Sequence, residues 1–593
     1  MRCPNEITNG VLLEAHEQRP IRKAGLKAMN QSGKARIAHL AGPTATIQNT
    51  PPLVTSNKAR VKHGLPLLKG VDGATLRYDA LRPQRLAAPA KIYVEQFSAH
   101  PLESDVAELY GPPDGYMGDD GVFRKQRQKA SDKPVYEIEL KPEDGLYPLP
   151  YMATQADGTA WEEECTSPGA LNGRQGFFPD GSRSFEEIDR MSIGVEGTAS
   201  LLSSIATIDF YRGVPPGGFT KGLPAHLRSD KGEGNIPPEV RGTHFFGYKP
   251  YHLAVGPPRS SLAKATNDMQ ALVSSGDYDG VIWTQGSPQV EESAYWFNLL
   301  IDTTLPICGN AAQRPQGQIS ADGPANIVDS ARFIRSRVWA DEQGRNRCGV
   351  VVIQEQQLFA AREVAKVDAR PGGYVAAGGH GGIVGNISHT GRIALTYLPV
   401  FKHTYRSDLK ITTLPTAVKA AKKSPRGIEM VDVAVMDGNG KLLPDAVPVV
   451  TILADGSYSG MDYGHDTAPE VDLIASIEHK LSLGLLTGFV VQGLVPYGRT
   501  PSHTRSKLML KAVFSGIPVA VAGRGAPMGF ADPTDFQIGA TNLTANKARF
   551  LLMACLLKFG SLPAAKDPDK PTSAELDAIR NAVAAYQAVF DTH

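Results

Sequence analysis

A chain of 593 residues and 63.5 kDa is long enough for several cores, three or four at ~150 residues each. A formal net charge of only +1 excludes the electrostatic footprint of a nucleic-acid or acidic-membrane binder, and no run approaches the ~18 to 20 apolar residues of a membrane span. Five scattered cysteines (Cys3, Cys165, Cys308, Cys348, Cys555), odd in number and without CxxC spacing, argue against a disulfide scaffold or a zinc site.

The opening run MRCPNEITNG lacks a basic segment followed by an apolar one, so no secretion signal is expected and the chain reads as cytoplasmic. Residues 1–34 are polar and basic without periodicity, an arm. RIAHLAGPTATI is an apolar strand that breaks at Gly42-Pro43, and AKIYVEQF a second strand that ends at Ser98. From Leu102 to Pro250 the texture turns to Gly, Pro, Asp and aromatics, as in YGPPDGYMGDDG and YRGVPPGGF. This is an ordered, loop-rich insertion. One helical stretch within it, SFEEIDRMSIGVEGTASLLSSI, opens on a capping-box spacing at Ser184.

From Ser260 strands and helices alternate: SLAKATNDMQALVSS a helix, YDGVIWT a strand, VEESAYWFNLLI a helix, LPICGN a strand, ANIVDSARFIRSRV a helix, CGVVVIQ a strand. Short β-branched runs between amphipathic helices predict a mostly parallel sheet with helices on both faces. LFAAREVAKVDA reads as helix-like, and Gly372 to Arg426 as a Gly-rich crossing and a long connection. A smaller α/β unit follows in VPVVTILA, EVDLIASIEHKLSLG, LTGFVVQGL, SKLMLKAVFSG, IPVAVAG and NKARFLLMACLLKFG, with the amphipathic tail PTSAELDAIRNAVAAYQAVF. The expected division is an arm 1–34, a larger domain 35–405 carrying the insertion 102–250, a linker 406–428 and a C-terminal domain 429–593.

In such sheets ligands bind where strands end and helices begin. Three loops fall at such places: Gly42 to Thr46, the stretch TQGSPQV with Thr284, Gly286 and Ser287, and AAQRPQGQISADGP from Ala311 to Pro324. A hydroxyl there becomes a nucleophile only beside a base, and Lys366 is a candidate. Taken singly, a Thr at a strand end is more often a helix cap and a lone Lys a solvated charge.

Together the loops resemble, in order and spacing, the asparaginase/glutaminase family of bacterial type. LAGPTATI stands where that family has a TGGTIA-like loop, TQGSPQVEESAYWF matches THGTDTxEETAYFL without gaps, and AAQRPQGQISADGPANI matches GAMRPxxxxSADGPxNL. AREVAK matches the family's GRDVTK-like run, and TNLTANKARFLL its TLNPQKARxLL helix start. The resemblance covers roughly residues 35–100 and 255–562. It implies a two-domain α/β hydrolase that needs no metal or organic cofactor, with a small-molecule amide as substrate. Thr44 would be the nucleophile of an acyl-enzyme, Ser287 and Lys366 would relay the proton, and backbone N–H groups near Gly286, Ser287 and Ala312 would hold the oxyanion. It also implies a homo-oligomer, dimer or tetramer, with shared sites; LADGS matches the family's YANAS-like loop and puts Asp455 at its Asn position.

The departures bear on the substrate. The acid that binds the α-ammonium of asparagine in the family is here Pro288, and the loop FSAHP keeps Ser98 for the substrate carboxylate but follows it with His100 and Pro101. NTPPLVTSNKARVKHG offers no counterpart to the family's lid tyrosine. An ammonium buried without an anion costs several kcal/mol, so the expected substrate is a carboxamide or cyclic imide larger or less zwitterionic than asparagine. Two alternatives stand beside this: a true asparaginase or glutaminase in which Asp455 or Glu162 replaces the missing acid, and a catalytically silent binding module.

Overall fold

The structure is a computed structural model that describes residues 33–42, 53–56, 78–84, 90–94, 111–118, 122–140, 147–150, 201–212, 258–314, 320–377, 382–455, 466–494, 498–500, 502–524 and 531–593. The run ARIAHLA forms β1 (Ala35–Ala41), in which Ile37, Ala38, Leu40 and Ala41 are at most 1% exposed. A strand buried on both faces belongs inside a parallel sheet. β1 lies there, paired in parallel with β2 (Ala206–Arg212) on one side and β3 (Gly280–Thr284) on the other. The parallel run continues through β4 (Ile307–Asn310) and β5 (Val350–Gln354). The chain then reverses into β6 (Gln357–Ala360) and leaves the sheet for a hairpin of β7 (Val364–Lys366) and β8 (Tyr374–Ala376). It returns as β9 (Ile383–Ile387) and β10 (Ile393–Leu395). The order across the sheet is β10-β9-β6-β5-β4-β3-β1-β2, with β6, β9 and β10 antiparallel to their neighbours.

Alternation along each strand feeds two apolar layers. Val350 and Val352 of β5 pack on the side of helices α1 (Pro258–Ser274) and α2 (Gln289–Leu300), while Val351 and Ile353 pack on the side of α3 (Gly323–Ser336). α2 is enclosed on most sides: Val290, Ala294, Tyr295, Trp296, Phe297, Leu299 and Leu300 have no exposed surface.

The C-terminal part is a second sheet of four parallel strands, β11 (Val449–Ala454), β12 (Thr487–Gly493), β13 (Val519–Gly523) and β14 (Ile538–Gly539). It is flanked by α4 (Val471–Leu483), α5 (His503–Phe514), α6 (Ala545–Phe559) and α7 (Ser573–Phe590). α6 lies against α2, with the Trp296 and Phe550 rings 6.1 Å apart and Arg549 bonded to Glu292 at 2.8 Å. The apolar cluster that holds α2 therefore runs unbroken into Phe489, Leu551 and Leu552.

Three findings add to the reading of the sequence. Residues 206–212, read as part of a loop-rich insertion, are a strand and take the place beside β1. Ala90–Val94 is a strand as read, but it pairs antiparallel with Lys133–Leu140 in a separate four-stranded sheet. The stretch 406–428 contains the strand Ala417–Ser424, paired with Gly427–Ala434. The capping box at Ser184 lies outside the described residues.

Candidate active site

β1 and β3 end side by side, and Gly42 N–H closes the pair with a 2.8 Å bond to the Thr284 carbonyl. Only glycine fits at 42. A Cβ there would lie 1.7 Å from Gln285 Oε1 and 2.7 Å from the Trp283 ring. The loop that carries Thr44 thus departs from beside Gln285; Thr44 and Ser98 themselves lie outside the described residues. Ser98 follows the strand Ala90–Val94, whose partner Lys133–Leu140 belongs to the separate antiparallel sheet.

After β3 the chain passes through Gln285, Gly286, Ser287 and Pro288 into α2, with Pro288 at the N-cap and its peptide bond to Ser287 cis. Val290 N–H donates to the Gly286 carbonyl at 3.1 Å, which fixes the first turn. Ser287 is half-buried and Pro288 exposed. After β4 the next loop folds around the Asp322 carboxylate, which accepts from the backbone N–H of Gln313 at 3.0 Å and of Arg314 at 2.7 Å. Ala312, just before it, is exposed.

Lys366 stands on a strand, β7, rather than on the helix expected of LFAAREVAKVDA. Ala, Glu and Lys favour helix, but the buried Val364 and Ala365 and the pairing with β8 override that preference. The strand brings Lys366 to the two loops. Its Nζ donates to Gln313 Oε1 and, at 2.8 Å, to the Arg370 carbonyl, and its backbone N–H donates to the Glu291 carboxylate. Ser287 Oγ accepts from the Tyr374 hydroxyl at 2.8 Å, and Lys366 Nζ lies 5.5 Å from the centre of the Tyr374 ring. Ser287, Lys366, Gln313, Glu291 and Tyr374 thus form one cluster.

Burial sets the electrostatics. It holds the Tyr374 phenol above its ordinary range, more than offsetting the Ser287 bond, so the hydroxyl stays protonated. It also raises the Glu291 carboxyl, against the opposing pull of Lys547. Lys547, 2% exposed, donates to the carbonyls of Glu291 at 2.6 Å and Ala361 at 2.7 Å, and burial brings its ammonium down to about 8. Two buried amide atoms, Gln285 Oε1 and Gln313 Nε2, have no hydrogen-bond partner among the described residues. Each costs ~1–3 kcal/mol until something pairs with it. Among the described residues no group of three or more His, Cys, Asp or Glu could hold a metal ion.

Asp455 lies elsewhere, at the end of β11, where its N–H bonds the Gln492 carbonyl at 2.9 Å. Its buried carboxylate pairs with Arg505 at 3.0 Å, and Arg505 also reaches Glu470 at 3.3 Å. Asp455 and Arg505 border a cavity of about 160 Å³ that is also lined by Ile452, Thr500 and Met509. Tyr374, Gln313 and Glu291 are the members of the cluster that the motifs do not single out, and for Tyr374 a signal exists. The signal was the run Arg370-Pro371-Gly372-Gly373, a turn that sets VAK against YVA as a hairpin.

Comparison with known proteins bears on the same segment. The family model "Asparaginase, N-terminal" matches residues 259–389. The chain is 29% identical over 187 residues to a glutaminase-asparaginase of Acinetobacter glutaminasificans, which is 31% of this chain and 49% of the relative. It is 30% identical over 107 residues to L-asparaginase 2 of Bacillus subtilis, 18% of this chain and 27% of the relative. Over 182 residues it is 29% identical to a probable L-asparaginase of Deinococcus radiodurans, 29% of this chain and 52% of the relative. A solved structure, the probable cytoplasmic L-asparaginase from Campylobacter jejuni, aligns with 65% of this chain and 90% of its own, at 20% identity and a TM-score of 0.42. The chain spans about half the length, or less, of these curated relatives. No helix among the described residues is long and apolar enough to cross a membrane.

Proposed function

Since the chain is asparaginase-like, we propose that it is an amidohydrolase that cleaves a carboxamide or imide C–N bond through a hydroxyl nucleophile. The observation that carries this reading is the cluster of Ser287 and Lys366 beside the carboxyl ends of β1 and β3, where the Thr44 loop departs. Thr44 Oγ attacks the carbonyl carbon, and its proton passes by way of Ser287 and Lys366 to the leaving nitrogen. The C–N bond breaks, an ester on Thr44 remains, and water hydrolyses it to the acid. The backbone N–H groups at Ser287 and Ala312 would hold the negative oxygen that develops.

The substrate is neutral where asparagine carries an ammonium group. Pro288 supplies no charge, Asp455 is engaged by Arg505, and Asp322 is engaged by two backbone N–H groups. The unpaired Gln285 acceptor instead suits the N–H, and the unpaired Gln313 donor the C=O, of an amide or imide edge. The second reading, hydrolysis of asparagine or glutamine themselves, is favoured by the names of the relatives. The same proposal takes the four-stranded sheet with its helices as a second domain and the working unit as a cytoplasmic homo-oligomer.

Replacing Thr44 with Ala is the direct test of the nucleophile. Turnover should fall by roughly three orders of magnitude or more while the melting temperature holds. Retention of more than about a tenth of wild-type turnover would move the nucleophile to Thr46 or Ser287.

A further inference from the structure

We propose that Tyr374 is a positioning residue of this site: its hydroxyl fixes the direction in which Ser287 can give its proton. The inference rests on the reading of Ser287 as a proton relay.

Cross-strand register sets Lys366 directly opposite Tyr374, which puts both side chains on one face of the hairpin. Ser287 meets that face. The Tyr374 O–H donates to Ser287 Oγ at 2.8 Å, and the residue, 5% exposed, has its ring beside Lys366 Nζ. A serine hydroxyl has one hydrogen and two acceptor positions. With one acceptor position filled by Tyr374, the Ser287 hydrogen must point away from the phenol, leaving its donor direction for the other members of the cluster. Tyr374 keeps its own proton throughout, because burial holds the phenol protonated. The hairpin is itself anchored, since the Lys366 backbone N–H is tied to Glu291 in the first turn of α2, the helix that Ser287 precedes. The donor and the relay residue therefore sit on elements fastened to each other.

A tyrosine that merely fills space would tolerate loss of its hydroxyl, and its effects would be independent of Ser287. The test is a double-mutant cycle of Tyr374→Phe and Ser287→Ala, with kcat and KM measured on the best substrate among asparagine, glutamine, propionamide and glutarimide. Tyr374→Phe should lower kcat about tenfold, leave KM within about twofold and not move the melting temperature. The double variant should be no slower than Ser287→Ala alone. Wild-type kcat in Tyr374→Phe, with Ser287→Ala inactive, would overturn the role of Tyr374 and leave the relay intact. So would losses that multiply in the double variant. Full turnover by Ser287→Ala, or no turnover of any of the four compounds by wild type, would overturn the relay reading itself, and the role of Tyr374 with it.

Discussion

Pro288 occupies the N-cap of α2, one residue from the hydroxyl that meets Tyr374, and it is exposed. A carboxylate placed there would be solvated and would face the positive end of the helix, worth ~0.3–1 kcal/mol in its favour. Burial, then, is not what bars an acid from this position. The account places the bar in the chemistry: a negative charge beside Ser287 and Lys366 would hold a proton on the relay. Pro288→Asp should accordingly fold with an unchanged or slightly higher melting temperature, yet turn over the native amide several-fold more slowly. It should not hydrolyse asparagine efficiently, because no counterpart of the lid tyrosine is introduced. Undiminished native turnover in this variant would mean that position 288 does not sense the reacting groups. At this scale the sequence pointed to Ser287 and Lys366 but not to Tyr374, Gln313 or Glu291 beside them. Ser287 and Lys366 were legible from their motifs, whereas the Tyr374 bond arises from a hairpin register set by tertiary pairing.

Elements with a long apolar period were read correctly because their burial is dictated locally. The run VEESAYWFNLLI became α2 and SKLMLKAVFSG became α5, within a few residues of their bounds. Short segments were not. Val364–Lys366 carries helix formers in a stretch too brief for periodicity to decide, and Ala206–Arg212 is a strand only because β1 offers it an edge. Short turns can also carry buried charge-capable groups. His403, 1% exposed, precedes the turn Thr404–Arg406, and burial, aided by Arg406, lowers its imidazole to about 4. The unfolded chain takes a proton near 6.5 while the folded one refuses it down to about 4. Between those values the unfolded state binds more protons, so stability is lost as pH falls from 6.5 towards 4. Denaturant titrations of wild type and His403→Gln across that window should show a shallower loss in the variant, by up to ~3 kcal/mol over the range. Parallel pH dependences would contradict the burial of a neutral imidazole at this position.

At the scale of the whole molecule, the site is assembled from parts far apart in the chain. β1 comes from residues 35–41, its outer neighbour from 206–212, and the proposed relay from 287 and 366. Lys547, at the start of α6, secures the back of α2 through the Glu291 carbonyl. The motif match at TNLTANKARFLL marked that helix start in the sequence, but not that its lysine would be buried under the site. The central claim is that these parts serve a neutral amide or imide and not a zwitterionic amino acid. It is tested most directly by wild-type kcat/KM on asparagine, glutamine, propionamide and glutarimide, with the carboxylate product quantified by chromatography. The account predicts that one of the two neutral compounds exceeds both amino acids by at least about tenfold, a difference of ~1.4 kcal/mol in transition-state binding. Higher kcat/KM on asparagine or glutamine than on both neutral compounds would contradict it.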